Sequence, residues 1–166
     1  MKITKQHLMD MGACNDGVRA FESHFKDEAE YQDVLNYLAE IKNPQWAQWL
    51  INKIGKTDIH TIIETNFEAD FAFFVGSVTF KKSVKIKFYL FAGSGIEAGE
   101  GIEAGSGIKA GSGIKAGWGI EAGEDFGIYA GLQLRISIKL KYAIVTAKTE
   151  PKNILLGTFQ KSESSK

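Results

Sequence analysis

The chain is poor in the residues that build most active sites. It has a single cysteine, Cys14, so no disulfide can form within it. Its three histidines, His7, His24 and His60, all fall in the first 60 residues. No second cysteine and no His-x-x-x-His spacing offers zinc a ligand set. Arginine occurs only as Arg19 and Arg135, so the basic charge is almost all lysine. Lys plus Arg and Asp plus Glu balance at 20 each, so no overall field draws the chain to nucleic acid or to a membrane surface. No stretch approaches the ~18 apolar residues of a spanning helix. The opening MKITKQHLMDMG has no apolar run resembling a signal peptide. These absences point to a cytoplasmic protein with no membrane partner and no bound cofactor or metal. They point equally away from an enzyme, since no nucleophile has a base to activate it.

What the chain does have is an array. From residue 94 to 123 a six-residue unit recurs: SGIEAG, EGIEAG, SGIKAG, SGIKAG, WGIEAG. A partial unit, FAG at 91–93, leads in, and a stretched one, EDFGIYAG, leads out to Gly131. Six is not a helical period, and so many glycines disfavour helix. A fixed short period reads as a solenoid. In extended chain, Ile and Ala of each unit fall on one side and Glu97, Glu103, Lys109, Lys115 and Glu121 on the other. Each unit is then a three-residue strand with a glycine corner, where positive φ and close approach of neighbouring coils are available. With two units per coil, Glu97 stacks on Lys109, Lys109 on Glu121 and Glu103 on Lys115, all opposite pairs. With three, Glu103 stacks on Glu121. The ladder therefore favours a flat, two-sided coil.

Before the array, residues 1–56 read as several short helices. Thr4 caps the first and Gly12 stops it. Asn15 or Asp16 starts the second, with Val18, Phe21 and Phe25 on one stripe. Tyr31, Val34, Leu35, Leu38 and Ile41 mark a third. Asn43-Pro44 reads as N-cap and N1 of a fourth, carrying Trp46, Trp49, Leu50 and Ile54 and ending at Gly55. The aromatic stripe reads as core. The acids Glu22, Asp27, Glu28, Glu30, Asp33 and Glu40, against Lys26 alone, read either as a solvated face or as a surface that docks on a basic partner. Cys14 reads as a small buried residue at a helix start, or as a thiol activated by a helix N-terminus.

On either side of the array lie apparent strands: 71–80, then 83–91, where Val84, Ile86, Phe88 and Leu90 alternate with Lys85, Lys87 and Tyr89, and 132–141, where Leu132, Leu134, Ile136, Ile138 and Leu140 alternate with Gln133, Arg135, Ser137, Lys139 and Lys141. The fold expected is α+β: a small helical N-terminal part over 1–56, antiparallel strands over 57–159, a short Gly-rich β-solenoid at 91–131 inserted between them, and a disordered tail over 160–166.

The array resembles the hexapeptide-repeat left-handed β-helix, the three-sided family that includes many acyltransferases. Units starting at Ile102 and Ile108 fit its pattern, with Ser106 and Ser112 in the small slot. Units starting at Ile96, Ile114 and Ile120 put Glu100, Trp118 and Glu124 there and depart from it. That family's histidine is missing beside the array, as are the Asp of calcium-binding repeats and the Thr ladders of ice-binding solenoids. A second resemblance is closer in letters. Tandem GIxAGx units ending in GIYAG, behind a helical segment carrying GAC-x-x-G at 12–17, are similar to small bacterial proteins of prophages and other mobile elements. That resemblance implies a non-enzymatic accessory protein, one that inhibits a host defence complex in the manner of anti-CRISPR proteins.

The partner expected is thus a host protein or ribonucleoprotein complex, met through Trp118, Glu97, Glu103, Glu121, Glu28, Glu30 and Asp33. Trp118 is either an exposed anchor or a cap folded over the coil. Two alternatives stand beside it. One is nucleic-acid binding on a basic face of Lys85, Lys87, Arg135, Lys139 and Lys141. The other is self-assembly of the solenoid, which makes an oligomer possible. A solenoid-borne enzyme would have only Glu100, Glu124 and Trp118 to work with.

Overall fold

The computed structural model describes residues 1–55, 57–123, 126–134 and 136–162. The chain opens with β1 (Lys2–Thr4), α1 (Lys5–Asp10), α2 (Asn15–Phe25), β2 (Glu28–Glu30), α3 (Tyr31–Glu40) and α4 (Pro44–Ile54). The remainder winds through β3 (His60–Ile63), β4 (Phe67–Phe74), β5 (Ser77–Phe80), β6 (Val84–Ala92), β7 (Ile96–Ala98), β8 (Ile102–Ala104), β9 (Gly107–Ala110), β10 (Ile114–Ala116), β11 (Ile120–Ala122) and β12 (Gly127–Ala130). It then passes α5 (Ile136–Tyr142), β13 (Ile144–Ala147), β14 (Ile154–Leu156) and β15 (Thr158–Lys161). The fold is α+β: a few helices at the N-terminus, a two-stranded antiparallel sheet of β1 and β2, and a parallel β-solenoid of about five turns.

Helix boundaries follow local chemistry. The Thr4 hydroxyl accepts from His7 N at 3.1 Å, and Gly12 takes φ +81° to end the first turn of structure. The Asn43 side-chain Oδ1 accepts from Trp46 N at 3.0 Å, and Pro44 beside it has no N–H, so one amide of the helix start is capped and another is absent.

The solenoid has three faces, not two. Ile96 pairs with Ile114 and Ile102 with Ile120, eighteen residues on in each case, so three units close one coil. Face one stacks β3, β5, β7, β10, β13 and β15. Face two stacks the first halves of β4 and β6 with β8 and β11, and face three stacks their second halves with β9, β12 and β14. Glu103 does lie against Glu121. Both are exposed, and at ~5 Å in water such a pair costs under about 1 kcal/mol. That is too little to choose a coil shape, which is why the charge ladder misled.

Backbone proximity is the stronger constraint. A Cβ on Gly105 would lie 2.1 Å from the Lys87 carbonyl oxygen, and one on Gly117 2.0 Å from that of Gly99. Each contact again joins residues eighteen apart. The glycine after Ala in each unit is therefore where one coil sits directly on the last. The glycine before Ile has more room: a Cβ on Gly101 meets nothing nearer than 3.6 Å.

Winding also corrects the flanks. The strands over 67–92 are the first coils of the solenoid and pair in parallel, because a chain wound in one sense always runs the same way along a face. Their alternation reports only which side faces inward. The wall likewise reaches past 131, to β15. Gln160 and Lys161 are strand, not tail, while 163–166 lie outside the described residues. Over 136–142 the chain is helix, not strand. It leaves the wall at Gly131, φ +86°, and returns at Ile144, so α5 satisfies its own backbone during a detour that has no strand neighbour.

Two cores result. Inside the solenoid run columns such as Val78, Ile96, Ile114 and Val145, or Leu90, Ile108 and Ile128, all buried. Phe67, Phe74 and Phe80 cluster with centroids 5.3–6.3 Å apart and plug the first coil. The second core holds the helices against the outside of face three. There Phe73 and Phe91 occupy the outward slots that carry Lys109 and Tyr129 in later coils, and both are buried under the helical layer. Gln32 of α3 completes the joint: its amide donates to Phe73 O at 2.7 Å and accepts from Val75 N at 3.1 Å. These are backbone groups on the open edge of β4, so one side chain stands in for a strand.

Two mutational outcomes test this account. Gly105→Ala should destabilise by about 3 kcal/mol through overpacking against a backbone that cannot yield, whereas Gly101→Ala should change stability by under about 1 kcal/mol; urea denaturation compares them. Gln32→Ala should cost about 1–3 kcal/mol by leaving a partly buried amide and carbonyl unpaired, read from the same denaturation midpoints.

Candidate partner-binding cleft

The helical unit is not packed solid. Between α1, α2, α3 and α4 opens a cleft of about 330 Å³, lined mostly by apolar groups. That size is at the low end for a small-ligand site or a pocket for one or two large side chains. Its room comes from small residues. Gly12 and Ala13 lie in the α1–α2 turn, and Gly17 and Ala20 are on the first half of α2, where bulkier side chains would have closed it. Trp46 and Trp49, three apart on α4, form the opposite wall, and Leu50 and Phe21 lie deeper. Tyr37 of α3 completes the rim. His24 stacks on it at 4.1 Å and Phe25 meets it edge-on at 5.5 Å, so its ring is held in place.

Cys14 is the N-cap of α2, exposed, and its side chain makes no cap hydrogen bond. It lines the cleft with Gln45 as one of few polar groups there. The expected buried cysteine is therefore an accessible one. Gly17 explains the spacing of the GAC-x-x-G string: a Cβ there would touch Cys14 Sγ at 3.5 Å and Trp46 Cε2 at 4.0 Å. Four residues of the string, Gly12, Ala13, Cys14 and Gly17, form one side of the cleft. Helical periodicity alone assigned Trp46 and Trp49 to the core, and both are only half-buried. The signal for an opening was the run of glycine and alanine facing them.

The other expected site residues are dispersed. Three acids of the helical unit are paired internally: Glu22 with Lys5 at 2.8 Å, Glu30 with the Met1 amine at 3.0 Å, and Glu28 with Lys2. The Glu28 carboxylate holds the Lys2 ammonium above its usual range. Asp33 is exposed in the first turn of α3. On the solenoid, Glu97 pairs with Lys115 at 2.9 Å and Glu103 with Lys85 at 3.8 Å, each one coil away, while Glu121 is exposed on β11. Burial lowers the Lys109 pKa, where Nζ lies 5.1 Å from the Phe91 ring centre and 5.5 Å from that of Tyr129.

The single basic face does not form. Lys85 is on face two, Lys87 turns toward Phe88 at the next corner, and Lys139 and Lys141 ride on α5, off the wall altogether. The expected strand alternation was lost when that segment became helix. Arg135, Glu124 and Asp125 lie outside the described residues. Phe126, from the same insertion, packs edge-on against Tyr89 at 5.0 Å. Trp118 is 63% exposed at a corner, so it is not folded over the coil as a cap. Among the described residues no group of three His, Cys, Asp or Glu side chains converges as a metal site needs, and no helix is long and apolar enough to cross a membrane.

Residues 1–59 match the family described as the YdhT N-terminal domain, roughly a third of the chain. No curated protein and no solved structure matches the chain. The matched segment ends one residue before β3 begins, so it coincides with the helical unit and its cleft and stops where the solenoid starts.

The accessibility of Cys14 is directly measurable. A colourimetric disulfide reagent should titrate one thiol in the native protein at close to the rate of free cysteine, without denaturant. Ala20→Trp, which fills the cleft beside it, should slow that reaction at least about tenfold.

Proposed function

We propose that the chain is a non-enzymatic interaction protein in which the helical unit takes an apolar group of a protein partner into its cleft, and the solenoid is the rigid stand that carries it. The observation that supports this most is the cleft itself: an aromatic-walled, largely apolar opening within the segment that matches a family on its own. Large aromatic side chains around a desolvated pocket are what hot spots of protein interfaces are made of. The finer reading, a phage- or mobile-element-encoded inhibitor of a host defence complex, rests on the resemblance of the tandem units and of GAC-x-x-G. Cys14 and Gly17 of that string both line the cleft, which ties the resemblance to the proposed contact surface.

The test is comparative. Tagged chain expressed in a bacterial host should retain a partner at near-stoichiometric ratio, and Ala20→Trp should lose it at least about tenfold while Glu121→Lys on the solenoid keeps it. Equal recovery by all three forms would remove the cleft from the reading, and repeated recovery of the chain alone would end the reading. For the finer claim, expression of the chain should restore transformation by a plasmid that a host CRISPR-Cas system targets, and unchanged interference would count against it.

A further inference from the structure

The fifth unit opens on the one aromatic residue among the corners of residues 94–123. Trp118 fills a slot held by Glu100, Ser106 and Ser112 in earlier units. The backbone fixes it on both sides: Trp118 N donates to Glu100 O at 3.1 Å, and Trp118 O accepts from Lys148 N at 2.8 Å. The ring thus stands out from two coils that cannot move apart without breaking the wall. Lys148 Nζ lies 5.9 Å from the ring centre, while 63% of the residue stays exposed.

Beside the ring is an open depression of about 650 Å³ whose charged lining is lysine alone: Lys115, Lys148 and Lys161. Thr146, Gln160 and Ser162 add hydroxyl and amide groups along it. Thr146 pairs in register with Lys115, and Gln160 with Thr146, so this polar row climbs face one strand by strand. Glu97, one coil below, engages Lys115 at 2.9 Å, and among the described residues no carboxylate lies within ion-pair distance of Lys148 or Lys161.

We propose that this corner binds single-stranded nucleic acid, with a base stacked on the free face of Trp118 and the adjoining phosphates met by Lys148, Lys161 and Lys115. An exposed aromatic platform on a fixed backbone, next to a lysine-lined groove, is the arrangement that sequence-tolerant single-strand binders use. Trp118 is the one large apolar side chain lining this depression, and duplex would have no groove-reading element to receive it. The site is separate from the cleft and does not depend on it. It also differs from the basic strand face expected from sequence, since none of Lys85, Lys87, Lys139 or Lys141 takes part.

Fluorescence anisotropy with a labelled oligo-thymidylate of about 12 nucleotides tests it between about 50 mM and about 200 mM salt. The expected result is saturable binding with log K falling against log salt with a slope of about −2, for three lysines at roughly 0.7 each. Trp118→Ala should weaken binding about 5- to 150-fold with the slope unchanged, and Trp118→Phe should recover a large part of that loss. Lys148→Gln should reduce the slope by about 0.7. The proposal is overturned if no binding occurs at about 50 mM salt, if Trp118→Ala binds like the parent, or if Trp118→Phe is no better than Trp118→Ala. It is overturned too if a sulfated polysaccharide competes with equal strength and Trp118→Ala is indifferent to both, which would make the patch a plain polyanion surface. Because Trp118 is exposed, all variants should keep the parent's urea midpoint, and the comparison is made on variants that do.

Discussion

Everything in the second two-thirds of the chain depends on how closely one backbone can lie on another. A coil of eighteen residues closes with its corners in direct contact with those beneath, and at those corners there is no space for a side chain. Once that contact is made, strand register follows, and with it the stacking of Ile on Ile and Ala on Ala inside the wall. The interior columns are uniform for the same reason: a wall built by repetition must have a constant bore. Where the bore departs from constancy, at Phe67, Phe74 and Phe80, it does so at an end, where aromatic bulk closes the tube.

The helical unit is joined to this wall by aromatic substitution of its outward columns, most deeply at one, with Phe71 and Tyr89 packed beside it. Later coils place Lys109 and Tyr129 in that column; the first two place Phe73 and Phe91 there, and the helices cover them. Gln32 then matches the open edge of β4 with an amide that has the same donor and acceptor as a peptide group. The joint is thus partly apolar burial and partly edge pairing. The two surfaces proposed above are correspondingly divided. One is a cleft within the helices, at the start; the other is a corner of the wall, in its last coils.

Much of this was legible in the sequence. Capping at Thr4 and Asn43, the glycine stops at Gly12 and Gly55, and the inward Ile and Ala of each unit follow from local chemistry that tertiary context has little reason to override. The number of units per coil was not legible from charge, because exposed pairs such as Glu103 and Glu121 interact too weakly to dictate geometry. The direction of the flanking strands was not legible from alternation, which is blind to the sense of a neighbour. Lys139 and Lys141 were misplaced because a segment alternating Ile with Lys satisfies helix as well as strand once no strand is beside it. The cleft escaped because periodicity shows which face of α4 turns inward, but not whether anything fills the space opposite Trp46 and Trp49.

Closure by threes has a consequence for how such a gene can change length. Tandem repeats grow and shrink by slippage during replication, one unit or several at a time. Gain or loss of one unit would rotate all that follows by a third of a turn, bringing each downstream face onto the wrong neighbour. Only changes of three units leave the remainder in phase, and each would move the Trp118 corner by about 4.8 Å, one strand spacing, relative to the helical unit. Natural length variants of this protein should therefore be quantised, and the distance between its two surfaces would be inherited as a whole number of coils.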